Sequence, residues 1–300
     1  MKSFVKHAVE RILVGAGYAR AVRPRRAGRL LILAYHNVVP DEDAAAAPDS
    51  LHLPLSRFRK ELDLLERASH IVALESPDSA GSVEPRGKPR VALTFDDAYR
   101  EAVELALPEL LRRELPATVF LCPGLLDAER FWWDVFDARG AEGKVFQELA
   151  GDDGDVSRFL AGDPRRRKSS SEWRRPARME LLSPYLRDRE GAIRFGSHSW
   201  SHRNLAALEE DRLRDDLRSS WDWLERSVER PSRWLACPYG FNSPAVGRIA
   251  AGIGYWGALE IAGGWVPESG WDPFRTPRLN IPAGVSDEGF ELRVSGVVQR

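Results

Sequence analysis

Short apolar runs alternate with segments of helical periodicity along most of the chain, and this alternation limits the fold more than any other feature. The runs occupy residues 29–35, 71–74, 90–95, 117–122, 192–196, 233–240 and 255–262, and residues 274–282 are a candidate for a last strand with a Pro-bounded edge. Apolar runs of this length are typical of parallel strands that are buried on both faces. The sequence therefore predicts an α/β protein with a parallel sheet, either a barrel or a doubly wound sheet. In both, functional residues collect at the carboxyl ends of the strands.

The length and composition fit one such domain with an insert. The chain has 300 residues, of which 43% are hydrophobic and 30% charged, as expected of a globular protein with a substantial core. Its formal net charge of −1 gives no general attraction for a polyanion, so we expect no nucleic-acid partner. We place the domain at residues 30–282, with a helical and irregular insert at about 124–190 and a C-terminal tail at 283–300.

Residues 1–29 form a basic segment. They contain eight Lys or Arg residues and a single acidic residue, Glu10. Apolar residues recur in this segment at helical spacing. The spacing predicts an amphipathic helix that either lies on an anionic membrane surface or packs on the protein with a solvated basic face. No secretory signal is recognisable, and no apolar stretch reaches the roughly 18 residues of a membrane span. We expect a cytoplasmic protein, with peripheral contact to the inner membrane if the first alternative holds.

Two adjacent carboxylates, Asp96 and Asp97, follow the apolar run RVALTF. Carboxylates at the end of a buried strand repel each other and resist burial unless a positive charge compensates them. Either they cap the following helix, whose dipole favours negative charge at that end, or one binds a metal and the other accepts a proton.

Histidines follow other predicted strands. His198 and His202, in the stretch FGSHSWSH, are four residues apart, so both imidazoles can converge on one point. With one aspartate they provide two nitrogens and one oxygen, a set typical of catalytic zinc or another borderline divalent metal. His36 ends the run LLILAYH, and CPYG follows a further strand. His52, in SLHLPL, is expected to lie in a loop.

In this order, the motifs TFDD, HSWSH and PYG resemble those of the polysaccharide deacetylases, a family of metal-dependent carbohydrate esterases that remove N-acetyl groups. The resemblance covers roughly residues 30–282 and implies a distorted (β/α) barrel with fewer than eight strands. It implies that Asp96 is the general base and that Asp97, His198 and His202 hold a divalent metal, expected to be Zn²⁺.

The sequence departs from the common family pattern at two motifs. No histidine follows His202, whereas the family usually has a late histidine as general acid. LILAYHNV resembles the first motif of a circularly permuted subgroup, which implies the acid role for His36. Ala236 stands where the family usually has an arginine that orients the aspartate base. TPRLNI resembles a late segment of the same subgroup, and we expect Arg278 to supply this guanidinium to Asp96; a surface position is the alternative.

The resemblance also implies groups that contact the substrate. The backbone N–H of Tyr239, which follows Pro238, is expected to stabilise a tetrahedral oxyanion. Trp133 is a candidate for stacking on a sugar ring, although tryptophans usually belong to the core. The expected substrate is an N-acetylated glycan or a lipid-linked sugar, deacetylated during the assembly of bacterial exopolysaccharide, capsule or antigen.

Two other functions remain open. A metal-binding pseudoenzyme that binds carbohydrate without turnover is compatible with Ala236 in place of the usual arginine. A non-haem iron oxygenase also uses two histidines and one carboxylate. The second aspartate, Asp96, and the predicted barrel argue against the oxygenase.

Overall fold

The computed structural model describes residues 2–46, 51–77, 87–126, 128–131, 175–188 and 191–298. The strands are β1 (Leu30–Tyr35), β2 (Asn37–Val39), β3 (His52–Pro54), β4 (His70–Ile71), β5 (Arg90–Phe95), β6 (Ala117–Leu121), β7 (Ile193–Ser197), β8 (Pro231–Ala236), β9 (Gly257–Glu260), β10 (Thr276–Pro277) and β11 (Leu279–Asn280). The α-helices are α1 (Lys2–Gly15), α2 (Tyr18–Val22), α3 (Leu55–Ala68), α4 (Leu107–Arg112), α5 (Met179–Leu186), α6 (Glu210–Ser227), α7 (Pro244–Ile253) and α8 (Asp287–Ser295).

The main sheet closes into a distorted barrel. Its strands lie in the order β1, β5, β6, β7, β8 and β9, and every neighbouring pair is parallel. β10 and β11 flank one residue, Arg278; β10 pairs with β9, and β11 pairs with β1. A single broken strand thus joins the two edges of the sheet. If it is counted once, the described barrel has seven strands, and the predicted fold class, a (β/α) barrel with fewer than eight strands, is confirmed.

Both faces of the barrel strands are buried. Successive side chains of a strand point to opposite sides, and each set packs into its own cluster. In β1, Leu31 and Leu33 belong to the large cluster that includes helix α3. Leu30 and Ile32 belong to a second cluster together with Phe120 and others. This two-sided burial explains why the strands appear in the sequence as continuous apolar runs.

The basic N-terminal segment and the C-terminal residues pack together. Residues 283–300, expected to be a tail, include helix α8, whose N-cap Ser286 donates a hydrogen bond of 2.6 Å to the Glu10 carboxylate of α1. Arg23 forms an ion pair of 3.3 Å with Glu291 of α8. Within the described residues, no helix is both long and apolar enough to span a bilayer.

Candidate active site

The predicted functional groups come together at the carboxyl ends of the barrel strands. Four of these ends carry them: His36 follows β1, Asp96 and Asp97 follow β5, His198 follows β7, and Pro238 and Tyr239 follow β8. Because the strands are parallel, these ends meet at the same rim of the barrel. If the two aspartates only capped a helix, their position among these other groups would remain unexplained.

Three buried side chains present ligand atoms to one point. Asp97, His198 and His202 each offer one ligand atom, and these atoms all lie within 4.8 Å of one another. The Nε2 atoms of His198 and His202 lie 3.5 Å and 3.3 Å from Asp97 Oδ1. Two imidazole nitrogens and one carboxylate oxygen at such distances form the donor set of a catalytic zinc site, with positions left for water.

Hydrogen bonds fix which nitrogen each histidine presents. His198 Nδ1 lies 2.7 Å from the backbone oxygen of Ala236, and His202 Nδ1 lies 3.2 Å from the hydroxyl of Tyr239. In both rings the Nε2 atom therefore remains directed at Asp97. Burial lowers the pKa of His198 to about 4, so this ring is neutral near pH 7, the state in which imidazole binds a metal.

The carboxylate of Asp97 also fits a metal. Burial favours its protonated form, but the hydrogen bond and charge of His202 outweigh this and hold the pKa of Asp97 below its usual range. Its Oδ1 atom is buried and has no hydrogen-bond partner of good geometry among the described residues. A buried anionic oxygen without such a bond is costly unless a cation completes its environment.

Asp96 faces a different partner. Both of its oxygens accept hydrogen bonds from Arg278, at 2.7 Å from Nη1 and 2.8 Å from Nη2. Arg278 is completely buried, which excludes the surface position left open by the sequence. Burial acts to raise the pKa of Asp96, but Arg278 and His198 outweigh it and hold this pKa well below its usual range. Asp96 is therefore anionic at any physiological pH.

His36 lies partly exposed at the same rim. Burial lowers its pKa, although the charges of Asp96 and Asp97 act in the opposite direction. Pro238 is buried and Tyr239 partly exposed in the turn that follows β8. The predicted sugar-binding residue Trp133 lies outside the described residues, as does most of the insert.

Two supporting interactions could not be recognised in the sequence. The turn between His198 and His202 is held by Asp216 of α6, which accepts a 2.7 Å hydrogen bond from the backbone N–H of Trp200 and another from the hydroxyl of Ser201. Nothing in the charged sequence of α6 distinguishes Asp216 from its many acidic neighbours.

The second is a buried polar cluster beside His36. His52, expected in a loop, is buried in β3, and its Nδ1 atom lies 3.3 Å from Asn37 Nδ2. Asn37 Nδ2 also lies 3.5 Å from Glu101 Oε2. The alternation of Leu51, His52 and Leu53 covers only three residues, which is too short to indicate a strand. Burial raises the pKa of Glu101 to about 8.

Comparison with known proteins supports the assignment of the fold. The family model described as polysaccharide deacetylase matches residues 84–158 and 173–258. None of the curated proteins matches the chain. Among solved structures, the deacetylase PplD of Streptococcus pyogenes, in complex with acetate, is 17% identical, with a TM-score of 0.61 over 88% of this chain and 97% of its own.

Two further structures are similar over comparable lengths. A de-N-acetylase of Aggregatibacter actinomycetemcomitans is 16% identical, with a TM-score of 0.63 over 88% of this chain and 98% of its own. IcaB of Ammonifex degensii is 19% identical, with a TM-score of 0.57 over 89% of this chain and 96% of its own. At this level of identity the likeness concerns the fold.

The first prediction concerns Arg278. Replacing Arg278 by Met leaves Asp96 buried without its cation, and we expect a loss of about 3–5 kcal/mol in the free energy of unfolding. Arg278→Lys keeps the charge but not the two-pronged geometry, and should lose less. Urea denaturation with a metal chelator present measures both variants. Equal stability of Arg278→Met and wild type would contradict this role of the ion pair.

The second prediction concerns the pH dependence of stability. Because the pKa of Glu101 is raised from 4.5 to about 8 on folding, the folded state binds the extra proton between these values. The contribution of this group is present below pH 4.5 and is lost as the pH rises through 8. At pH 9, the free energy of unfolding of Glu101→Gln should therefore exceed that of wild type by at least about 2 kcal/mol, and at pH 5 the two should be similar.

Glu104→Gln is the matched control, because Glu104 is an exposed carboxylate one helical turn away. It should change the free energy of unfolding by less than about 0.5 kcal/mol at either pH. Parallel stability–pH curves for wild type and Glu101→Gln would show that Glu101 titrates normally in the folded protein.

Proposed function

The chain belongs to the polysaccharide deacetylase family, and from this premise we propose that it removes the N-acetyl group from an amino sugar of a polysaccharide or glycan precursor, with Zn²⁺ as its metal. The family makes the protein a hydrolase of carbon–nitrogen bonds. One observation carries the proposal. The three candidate ligands described above converge beside a second carboxylate, Asp96, which is paired with Arg278.

The divalent metal would be held by Asp97, His198 and His202, and when bound it lowers the pKa of a water molecule and polarises a carbonyl group. Asp96 is assigned as the general base that takes the proton of the attacking water. Its low pKa makes it a weak base, so it accepts a proton readily only from an acidified donor. Arg278 keeps its two oxygens in a fixed orientation.

The remaining roles concern the oxyanion and the leaving group. The backbone N–H of Tyr239 is assigned to the oxyanion that forms when the acetamide carbon becomes tetrahedral. His36 is assigned to donate a proton to the sugar nitrogen as the carbon–nitrogen bond breaks, because an unprotonated amine is a poor leaving group. Acetate and a free amino sugar are then the products.

An exposed aromatic side chain lies next to the turn that carries Tyr239. Phe241 is exposed, and its ring centroid lies 6.2 Å from that of Tyr239, which itself contacts the ring of His202 at 4.8 Å. Aromatic faces pack well against the apolar faces of sugars. We assign Phe241 to glycan binding. The substrate that we propose is an N-acetylated glycan or a lipid-linked sugar.

The third prediction distinguishes the role of Asp96 from that of Asp97. Asp97→Asn should lose bound zinc and all acetate release, because it removes a ligand. Asp96→Asn should keep stoichiometric zinc and lose acetate release by about 10²–10⁴-fold, because it removes only the base. Zinc content after dialysis and acetate released from N-acetylated amino-sugar oligomers are measured for wild type and both variants. Full activity of Asp97→Asn without metal would refute the proposal.

The same measurement tests the pseudoenzyme. Wild-type protein that holds one zinc ion and binds the oligomers, yet releases no acetate from free or lipid-linked sugars, would favour carbohydrate binding without turnover.

The fourth prediction concerns His36. His36→Gln should lower kcat by about 10²–10⁴-fold without changing zinc content, because the proton donor is lost and the metal ligands are not. His70→Gln is a control, since His70 is an exposed residue of β4. If both variants turn over like wild type, the proton comes from another group.

A further inference from the structure

Helix α1 presents its apolar side to solvent. Val5, Val9 and Ile12 are 56%, 48% and 68% exposed. Spacings of four and three residues place these side chains in one line along the helix, and we call them the apolar row. Tyr18, at the start of α2, is 54% exposed and follows it. Exposed large apolar side chains are common singly, but a contiguous group marks an interaction surface.

The side of α1 that contacts α8 carries a polar residue, Glu10. Glu10 accepts the hydrogen bond of Ser286, and its carboxylate lies against Gly289, where an added Cβ would come within 2.9 Å of it. At 100° per residue, Glu10 lies roughly 130° around the helix from the apolar row. A partly buried carboxylate thus joins α1 to α8, and the apolar row points outward. This orientation is the reverse of that in an ordinary surface helix, whose apolar side faces the core.

Exposed basic side chains occur in the same segment as the apolar row. Lys6, Arg11, Arg20 and Arg25 are all exposed. In the described part of the chain, Arg11, Arg20 and Arg25 take part in no ion pair, whereas Arg23 and Arg29 are paired with glutamates. The chain as a whole has a net charge of −1, yet residues 1–29 carry eight Lys or Arg and one Glu. Positive charge is therefore concentrated where the apolar row is exposed.

We propose that the surface formed by the apolar row, Tyr18 and the exposed basic side chains of residues 1–29 docks on an anionic phospholipid membrane. An apolar line with cations in the same segment matches the boundary between acyl chains and anionic headgroups, where the apolar side chains are buried and each nearby Lys or Arg contributes about 1 kcal/mol. Charge complementarity favours this occupant over a second copy of the chain, whose own basic segment would be repelled. The proposal is independent of the catalytic assignment.

The experiment is co-sedimentation of the full-length protein with two kinds of vesicle, phosphatidylcholine alone and phosphatidylcholine mixed with phosphatidylglycerol. Wild type should bind the anionic vesicles and be released by high salt, because exposed charges are screened. Val9→Ser combined with Ile12→Ser should lower the partition coefficient at least about tenfold, because two buried apolar side chains are lost. Arg11→Gln combined with Arg20→Gln should lower binding to anionic vesicles and reduce its dependence on salt.

Leu111→Ser is the matched control, because Leu111 is a 40% exposed apolar residue on α4; it should bind like wild type. Circular dichroism and thermal unfolding should be unchanged in all variants, since every substituted side chain is exposed. No binding of wild type to anionic vesicles at low salt would overturn the proposal. So would equal binding of the serine variant and wild type, or a concentration-dependent dimer that the serine variant abolishes in the absence of vesicle binding.

Discussion

The buried ion pair between Arg278 and Asp96 joins the closure of the barrel to its chemistry. Arg278 stands between β10 and β11, where its backbone N–H donates to the oxygen of Glu260 and its own oxygen accepts from Gly263. From this position its guanidinium reaches Asp96, which directly follows β5. Burying two charges costs several kcal/mol for each ion and is tolerated only when the geometry is good and further hydrogen bonds are made. The two-pronged contact, with a further bond to Thr94 at 3.2 Å, meets this condition.

This ion pair also explains how two adjacent carboxylates can have different roles. Asp96 is paired with a cation that belongs to the protein, whereas Asp97 lies beside two imidazoles, and its Oδ1 atom has no hydrogen bond of good geometry among the described residues. Neighbouring carboxyl groups acquire distinct functions when their environments differ in this way. Arg278 lies over the ring of Phe120, which belongs to the same interior cluster as Ala236. A small residue at position 236 is consistent with an interior that Arg278 already fills.

Much of the fold could be predicted from the sequence because it depends on local patterns. The run at 90–95 coincides with β5, and the run at 29–35 with β1 to within one residue. Since parallel strands end at one rim, polar residues after separate strands could be expected to meet.

The break at Arg278 could not be predicted, because it arises from pairing with two different strands. Nor does a local pattern predict the π-helical turn at Ala102–Ala106, which precedes α4 and Pro108, whose ring nitrogen has no N–H to donate. The burial of His52 and the anchoring role of Asp216 depend on contacts distant in sequence, which no local pattern contains.

The backbone of the site is strained, and this strain shows what maintains the ligand geometry. Among the described residues with positive φ that are not glycine, all but Glu114 lie in the loops after β5, β7 and β8: Asp97, Ala98, Ser199, His202 and Tyr239, with φ of 54° to 69°. Glycine would adopt this conformation without strain, but it could not supply the ligand atoms that Asp97 and His202 bring to the candidate metal site. Each such position costs on the order of 1–3 kcal/mol and persists only where its surroundings determine it. Here those surroundings are the packed barrel beneath the loops and hydrogen bonds such as that from the His202 N–H to the Ser199 hydroxyl at 2.9 Å. The barrel core therefore pre-forms the candidate metal site, so a metal that binds there would not have to supply the free energy of bending these loops.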